Sequence, residues 1–276
     1  MKVTLCGTRG SVGRAGGDTL RYGGDTSSVA LQGRGGDLLV LDAGSGITYV
    51  HDLIDSATAR IDILLTHLHM DHIQGLGFFR PLFNPEIETH IWGPVSTTAG
   101  LAHRLSRYLS PPLFPVRLRD LNSLHLHDVL PGSFSVPGFE VTTDLIIHPG
   151  PTLGYRVSEN GHSLAYLPDH EPALGSPDMD DSPAWLSGHN LIHGVDLLIH
   201  DAQYTAEEYR LKVGWGHSTY QHCLALARKG EVATLVTFHH DPEHSDEALD
   251  QFHQEISESD PGIDLRPGLA GAVFEL

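Results

Sequence analysis

The run His67–His72 (HLHMDH) constrains this chain more than any other feature, because it places four potential metal ligands within six consecutive positions. It directly follows Ile61–Thr66, a nearly all-apolar run typical of a strand buried on both faces. The two histidines that open the run lie two residues apart at a strand end, so they point to the same side. The aspartate and the histidine that close it lie where the chain turns into a helix, and they can approach from another direction. The run therefore suits two metal ions better than one.

The chain contains 20 histidines among 276 residues, so this run has to be weighed against chance. In such a composition an isolated His-x-His pair is more often structural than metal-binding. The full His-x-His-x-Asp-His pattern directly after a buried strand is far more specific, and it predicts a metal site. Eight other histidines show no converging context, and we expect surface or ordinary hydrogen-bonded roles for them: His51, His103, His125, His127, His162, His189, His193 and His253.

The overall composition is typical of a soluble globular protein, with 40% hydrophobic and 19% charged residues. No apolar run reaches the ~18 residues that a membrane helix needs, and the N-terminus opens with a strand pattern rather than a signal peptide. The two cysteines, Cys6 and Cys223, build no disulfide framework and fit a reducing compartment. We therefore expect a cytoplasmic protein that does not bind a membrane.

Short apolar runs alternate with helical patterns along the whole chain, which predicts an α/β fold with two sheets between helical layers, in a single domain of residues 1–276. The predicted strands are Lys2–Cys6, Ser28–Gln32, Asp37–Asp42, Ile61–Thr66, Glu88–Trp92, Glu140–Ile147, Thr152–Val157, Ser163–Leu167, Asp196–His200 and Ala233–Phe238. The predicted helices are His72–Phe79, Val95–Leu109, Ser218–Lys229 and Ser245–Ile256. Ser218 and Gln221 have the spacing of a capping box, and Gly230 is the predicted stop of that helix.

Further candidate ligands stand at the ends of other apolar runs. His148 ends TTDLIIH, Asp169 ends SLAYLPD, and His239 ends ATLVTFH. Each of them follows a predicted strand and precedes a loop, which is where an α/β fold carries its chemistry. The next residue, His240, is an alternative to His239, although His239 ends the strand directly.

The His-x-His-x-Asp-His run after an apolar strand resembles the signature of the metallo-β-lactamase superfamily, and LVLDAGSG (Leu39–Gly46) resembles its early Asp-x-Gly turn. The resemblance covers nearly the whole chain and implies a four-layered αββα sandwich with two metal ions between the sheets. It implies two ligand sets joined by a bridging carboxylate and a hydroxide: His67, His69 and His148 for one ion, Asp71, His72 and His239 for the other, and Asp169 between them.

All of these ligands offer nitrogen or oxygen, so zinc is the first choice and manganese or iron are alternatives. Neither cysteine lies near a ligand position, which departs from superfamily branches that use a cysteine ligand. That departure argues against hydrolysis of β-lactams. Dimers are frequent in this superfamily, so a homodimer is an expectation by analogy alone.

GWGHSTYQHCLALA (Gly214–Ala227) resembles the His-Ser-Thr motif of the phosphodiesterase branch that includes ribonuclease Z. The resemblance implies that His217 approaches the scissile phosphate and protonates the leaving group. DLLIHDAQYT (Asp196–Thr205) resembles the segment whose acid orients that histidine, and here the match is Asp201, although glutamate is more frequent in the branch. Without these roles, His217 would be a loop residue beside a helix cap and Asp201 would satisfy backbone at a strand end.

The sequence also bears on the substrate. Ribonuclease Z inserts a long basic arm between the ligand that matches His148 and the bridging aspartate, whereas here only 20 residues separate His148 from Asp169. The formal net charge of −18 likewise disfavours a nucleic acid. We therefore expect a small phosphodiester, for example a cyclic one, attacked by a metal-activated hydroxide that Asp71 helps to orient. The alternatives are a carboxylic ester, lactone or thioester hydrolase, a ribonuclease Z-like RNA hydrolase, and a metal-loaded sensor without activity.

Overall fold

Two seven-stranded mixed sheets form the centre of the computed structural model, which describes residues 1–174, 179, 182–259 and 262–276. The first sheet contains, in spatial order, β14 (Val273–Glu275), β1 (Lys2–Gly7), β2 (Ser28–Gln32), β3 (Leu38–Leu41), β4 (Arg60–Leu64), β5 (Glu88–Pro94) and β6 (Leu124–Val129). The second contains β13 (Asp264–Pro267), β12 (Thr234–Phe238), β11 (Leu197–Asp201), β10 (His162–Leu167), β9 (Leu153–Glu159), β8 (Phe139–Leu145) and β7 (Gly132–Val136).

Six α-helices lie among the described residues: α1 (Met70–Ile73), α2 (Leu101–Leu105), α3 (His189–Ile192), α4 (Ala206–Tyr209), α5 (Tyr220–Lys229) and α6 (Asp246–Ser259). Shorter 3₁₀ segments complete the helical layers: Ser45–Leu53, Leu76–Phe78, Arg80–Phe83, Leu118–Asp120 and Pro183–Trp185. No helix in the described part of the chain is long and apolar enough to cross a bilayer.

The apolar side chains divide into three clusters that define the layers. One cluster, which includes Leu5, Leu41 and Phe238, fills the space between the two sheets. A second packs α3, α5 and α6 against the outer face of the second sheet. A third packs α2 and the four 3₁₀ segments between Ser45 and Asp120 against the outer face of the first sheet. The order of layers is therefore helices, sheet, sheet, helices, which confirms the predicted αββα sandwich.

All ten predicted strands are present, with ends that differ by up to two residues. The sequence did not predict β6, β7, β13 and β14. All four are terminal strands of the two sheets, paired on one side only. An edge strand buries less of its surface than a central one, so its apolar pattern is weaker.

Two helix predictions were too long. The segment predicted as His72–Phe79 is α1 followed by the 3₁₀ turn Leu76–Phe78, with Gly75 between them. A Cβ at Gly75 would lie 2.1 Å from the carbonyl oxygen of Gly44, so the chain stays close to that loop instead of continuing the helix. The segment predicted as Val95–Leu109 is helical only in α2, because serines and threonines before it favour turns over helix.

The predicted capping box at Ser218 was wrong by one residue. The N-cap of α5 is Thr219, whose hydroxyl accepts a hydrogen bond from the backbone N–H of His222. The hydroxyl of Ser218 is directed elsewhere and donates to the carbonyl of His170 at 2.6 Å. Gly230 is the C-cap, as predicted, but with ordinary right-handed dihedral angles.

The two sheets meet where the His67–His72 run leaves β4. The hydroxyl of Tyr155, fully buried on β9, donates a hydrogen bond to the carbonyl of Leu65 at 2.8 Å. The backbone N–H of Leu153 donates to the carbonyl of Thr66 at 2.9 Å. The second sheet therefore holds the backbone of the first sheet immediately before His67.

The substitution Tyr155→Phe removes this hydroxyl and leaves a buried carbonyl without its partner. We expect it to lower the free energy of unfolding by about 1–3 kcal/mol, as measured by urea denaturation. Tyr49→Phe makes the same chemical change on an exposed side chain and serves as the control. Equal stability losses in the two variants would show that the Tyr155 hydroxyl does not tie the sheets together.

Candidate metal centre

Seven side chains that the sequence singled out converge at one edge of the sandwich, at the ends of strands from both sheets. They form two groups, and the potential ligand atoms within each group lie within 4.8 Å of one another. The first group is His67, His69, His148 and Asp169, and the second is Asp71, His72, Asp169 and His239. The two groups share Asp169.

Asp169 lies between the groups with one oxygen towards each. Its Oδ1 is 2.9 Å from Nε2 of His72 and 3.2 Å from Nε2 of His239. Its Oδ2 is 3.6 Å from Nε2 of His148 and 3.7 Å from Nε2 of His67. This is the placement required of a carboxylate that bridges two cations.

The second group has the spacing of a metal coordination shell. Nε2 of His72 lies 3.3 Å from Nε2 of His239, and Oδ2 of Asp71 lies 3.3 Å and 3.2 Å from these two nitrogens. Ligand atoms about 2.0–2.1 Å from one tetrahedral zinc ion are separated by about 3.3 Å. The triangle therefore matches the size of a zinc or similar divalent ion.

Hydrogen bonds at the far ring nitrogens turn three of the histidines towards the centre. Nδ1 of His148 donates to the carbonyl of Gly216 at 2.9 Å, Nδ1 of His72 contacts Asp42 at 2.7 Å, and Nδ1 of His239 contacts Oε1 of Gln203 at 2.9 Å. With the proton on Nδ1, each Nε2 carries a lone pair that faces inward.

Two further observations fit a metal ion. The lone pairs of His72 and His239 would face each other at 3.3 Å, an arrangement that needs a cation or a proton between them. Nε2 of His67 is buried and has no hydrogen-bond partner in the described part of the chain. The donor set and its orientation therefore fit divalent ions.

The ionisation of the groups points the same way. Burial lowers the pKa of His67, His69 and His148, which keeps these imidazoles neutral and able to ligate. Burial would also lower the pKa of His72, but the carboxylates Asp169, Asp71 and Asp42 raise it well above its usual value. The carboxylates around His72 therefore favour positive charge at this point of the site.

Asp42 was not predicted as a functional residue, and the structure gives it an orienting role. It is fully buried with φ +57°, and its Oδ2 accepts from Tyr166 at 3.0 Å in addition to its contact with His72. Its Oδ1 accepts from the backbone N–H of Thr66 at 2.7 Å. The Asp-x-Gly resemblance marked its position, but its partners come from distant parts of the chain.

Glu171 was also missed, although it follows the bridging carboxylate by two residues. It is fully buried and accepts hydrogen bonds from the hydroxyl of Tyr209 at 2.8 Å, from the N–H of Gly214 at 2.8 Å and from the N–H of Gly216 at 2.7 Å. Gly216 in turn orients His148 through its carbonyl. Glu171 therefore holds the loop that leads into His217.

His217 and Asp201 form the pair that the sequence suggested. Nδ1 of His217 lies 2.8 Å from Oδ2 of Asp201, and its ring stacks on His239 with centroids 5.0 Å apart. Burial alone would lower the pKa of His217, but the charge of Asp201 and the hydrogen bond to it raise the pKa to about 8. Nε2 of His217 makes no hydrogen bond with the residues that the structure describes.

The structure separates His239 from His240. His239 lies among the candidate ligands, whereas Nε2 of His240 lies 3.0 Å from the carbonyl of Gly268 and its ring packs edge-on against Tyr22. His125 and His127, which showed no converging context in the sequence, lie close to a third histidine, His90. His125 is exposed and His127 forms a hydrogen bond with His90, so their positions agree with the expected surface and hydrogen-bonded roles.

A cleft of about 670 Å³ opens beside the first ligand group. It is lined by His67 and His69 and by side chains from the stretch after α1: Ser96, Thr98, Arg104, Arg107, Tyr108 and Leu113. The guanidinium of Arg107 is exposed and forms no ion pair or hydrogen bond with the described residues. Another cavity, of about 710 Å³, is lined by none of the candidate ligands.

Residues 37–240 match the family model described as the β-lactamase superfamily domain. The chain belongs to the metallo-β-lactamase superfamily. Among related proteins of this superfamily, the ribonuclease Z of Thermococcus gammatolerans is 25% identical over 253 residues, which is 77% of each chain.

Solved structures of the metallo-β-lactamase fold superpose on the whole chain. Zinc-bound PqqB from Methylobacterium extorquens has a TM-score of 0.69 at 19% identity and covers 100% of both chains. A diphosphatase of the PhnP family has a TM-score of 0.67 at 20% identity and covers 100% of this chain and 96% of its own. At this level of identity both similarities describe the fold.

The substitution Asp42→Asn tests whether orientation of His72 matters for metal binding. Asparagine tolerates a positive φ, so the main change is the loss of one acceptor oxygen. We expect about 10–100-fold weaker binding of the metal, measured by competition with a chromophoric chelator. Asp246→Asn, which changes a carboxylate that binds the backbone N–H groups of Arg21 and Tyr22, is the control. Identical metal affinities in the two variants would contradict the role of Asp42.

Proposed function

We propose that this protein is a metal-dependent phosphoric diester hydrolase that acts on small phosphodiesters. The observation that carries the proposal is the His217–Asp201 pair, which places a histidine with a raised pKa directly beside the two groups of candidate ligands. A proton donor at this position suits a reaction with a poor leaving group, such as an alkoxide. The name of the curated relative, ribonuclease Z, supports the same class of reaction.

In this proposal His67, His69 and His148 hold one divalent ion, Asp71, His72 and His239 hold the second, and Asp169 bridges them. Zinc is the first choice, because imidazole and carboxylate ligands suit it and the zinc-bound PqqB shares the fold. When bound, such ions act as Lewis acids and lower the pKa of coordinated water towards ~7.

Asp71 has a second role beside ligation. Burial would raise its pKa, but the neighbouring His72 and the close contact with Nε2 of His239 hold the pKa well below the usual range. It therefore stays ionised and can accept a hydrogen bond from the attacking water. The backbone N–H of Ser11 donates to its Oδ2 at 2.7 Å, which fixes the carboxylate in place.

His217 acts as the general acid. Asp201 accepts the proton on Nδ1 and keeps the ring oriented, so that Nε2 is left to face the substrate. Asp201 is itself held by the backbone N–H groups of His170, Gln203 and Ser218 at 3.0–3.2 Å. With a pKa of about 8 before metal binding, His217 carries the proton that the departing oxygen needs.

The size of the cleft supports a small substrate. Its volume of about 670 Å³ falls within the range of small-molecule sites. His148 and Asp169 are connected by the β9–β10 hairpin alone, without an inserted arm that could grip an RNA. The net charge of −18 opposes a polyanion, whereas the exposed Arg107 gives the cleft local positive charge for a single phosphate, and Arg104 beside it is paired with Asp128. We also propose that residues 1–276 fold as one domain, since β14 pairs with β1.

Substrate class can be measured directly on the metal-loaded protein. We expect turnover of bis(4-nitrophenyl) phosphate and of a cyclic nucleotide, and no cleavage of a precursor tRNA, a lactone or a thioester. Cleavage of the tRNA alone would make the protein an RNA hydrolase, and turnover of the acyl substrates alone would make it an ester hydrolase. A fully metal-loaded protein that cleaves none of them would be a sensor.

The role of His217 predicts a dependence on the leaving group. With an alkoxide leaving group, His217→Ala should lower kcat by about 10²–10⁴-fold. With 4-nitrophenolate, which departs without a proton, the loss should be much smaller. Asp201→Asn should show the same pattern, and His103→Ala, on an exposed side chain of α2, is the control. Equal losses on both substrates, at unchanged metal content, would exclude His217 as the acid.

A further inference from the structure

A second cluster of potential metal ligands lies on the first sheet, away from the candidate centre. Glu88 and His90 on β5 and His125 on β6 offer ligand atoms that all lie within 4.8 Å of one another. We call this cluster the edge site, because β6 is the edge strand of its sheet. It shares no residue with the two groups described above.

The pairing of the strands explains why these side chains meet. Glu88 and His90 are two residues apart on β5, so they lie on the same face of the sheet. His90 is directly opposite His125 in the parallel β5–β6 register. Two residues on one strand and one on its neighbour can reach a single ion without any change in the backbone.

His90 is the inner member of the edge site, and a neighbouring histidine, His127, holds its ring. It is nearly buried, at 9% exposure, and its Nδ1 lies 3.0 Å from Nε2 of His127. The ring of His127 stacks on Trp92 with centroids 3.9 Å apart. His127 therefore fixes the orientation of His90, as an outer partner does for a metal-binding histidine.

The other nitrogen of His90 lacks a partner. Nε2 is buried without a hydrogen bond, and the closest carboxylate oxygen, Oε2 of Glu88, is 3.6 Å away. The ring of His125 stacks on His90 with centroids 4.5 Å apart and planes inclined by 22°. Because His125 is exposed, its side chain can rotate to turn a nitrogen towards Nε2 of His90. A cation between these three side chains would satisfy the buried nitrogen.

The charged groups around the edge site are compatible with a bound cation. Burial, followed by the charge of Arg60, lowers the pKa of His90, which leaves the imidazole neutral. The positive charge of Arg60 is itself neutralised by Asp62, with contacts of 2.8 Å and 2.9 Å. Glu88 remains exposed and supplies the negative charge of the edge site.

We propose that the edge site binds one divalent transition-metal ion of the zinc type through Glu88, His90 and His125. Two imidazoles and a carboxylate are ligands that zinc, nickel and copper accept. Because the ligands come from β5 and β6, the ion would link the edge strand to its neighbour. In the register of β4 and β5, His90 is opposite Asp62, which precedes His67 by five residues, or roughly 16 Å of extended chain. The edge site is therefore independent of the candidate centre and of the proposed function.

Zinc titration of the metal-loaded protein tests the proposal. After gel filtration, further zinc should bind as one additional equivalent per chain, and the double variant His90→Gln/His125→Gln should lose it. His103→Gln is the control, since it removes an exposed histidine outside the edge site. The proposal would be overturned if the double variant still bound the additional zinc, or if the protein without substitutions bound none.

Glu88→Gln provides a test that does not depend on the folding of the double variant, because this side chain is exposed. We expect its affinity for the additional zinc to fall about tenfold or more, while phosphodiesterase activity stays the same. Added zinc should also shift the imidazole NMR signals of His90 and His125 but not those of His103. Unchanged zinc affinity in Glu88→Gln together with unshifted signals would exclude the edge site.

Discussion

Asp169 is the residue on which the candidate centre depends, because each of its two carboxylate oxygens faces a different group of histidines. A fully buried carboxylate is costly unless positive charge compensates it. Here the compensation can come from two cations, and the flanking residues of Asp169 organise the rest of the site. The backbone of His170 binds both Asp201 and Ser218, and Glu171 holds the loop before His217. One three-residue segment thus connects the metal ligands to the proton donor.

The sequence was sufficient for the architecture and for the placement of the candidate ligands. The His67–His72 run is local, so its spacing is visible in the sequence. Asp169 and His239 are distant from it but follow apolar strands, and strand ends of an α/β fold collect at one edge. The centre of the sandwich was also predictable, because central strands are buried on both faces and are nearly all apolar.

The orienting residues and the edge site could not be predicted, because they depend on which strands become neighbours. Asp42 acquires its role only through contacts with Tyr166 and His72, which come from both sheets. The sequence also dismissed His125, since β6 was not predicted and its alignment with β5 was therefore unknown. Pairing of strands distant in sequence is a tertiary property that apolar periodicity does not contain.

Several candidate ligands take their orientation from protein acceptors, such as the Gly216 carbonyl for His148 and Gln203 for His239. A pocket preformed in this way does not select an ion while the chain folds. Divalent ions differ in intrinsic affinity for such nitrogen and oxygen donors, so the ion that this pocket would take depends on that affinity and on the cellular supply of each metal. Protein grown in media of different trace-element content would thus be isolated in different metallated forms on an unchanged scaffold.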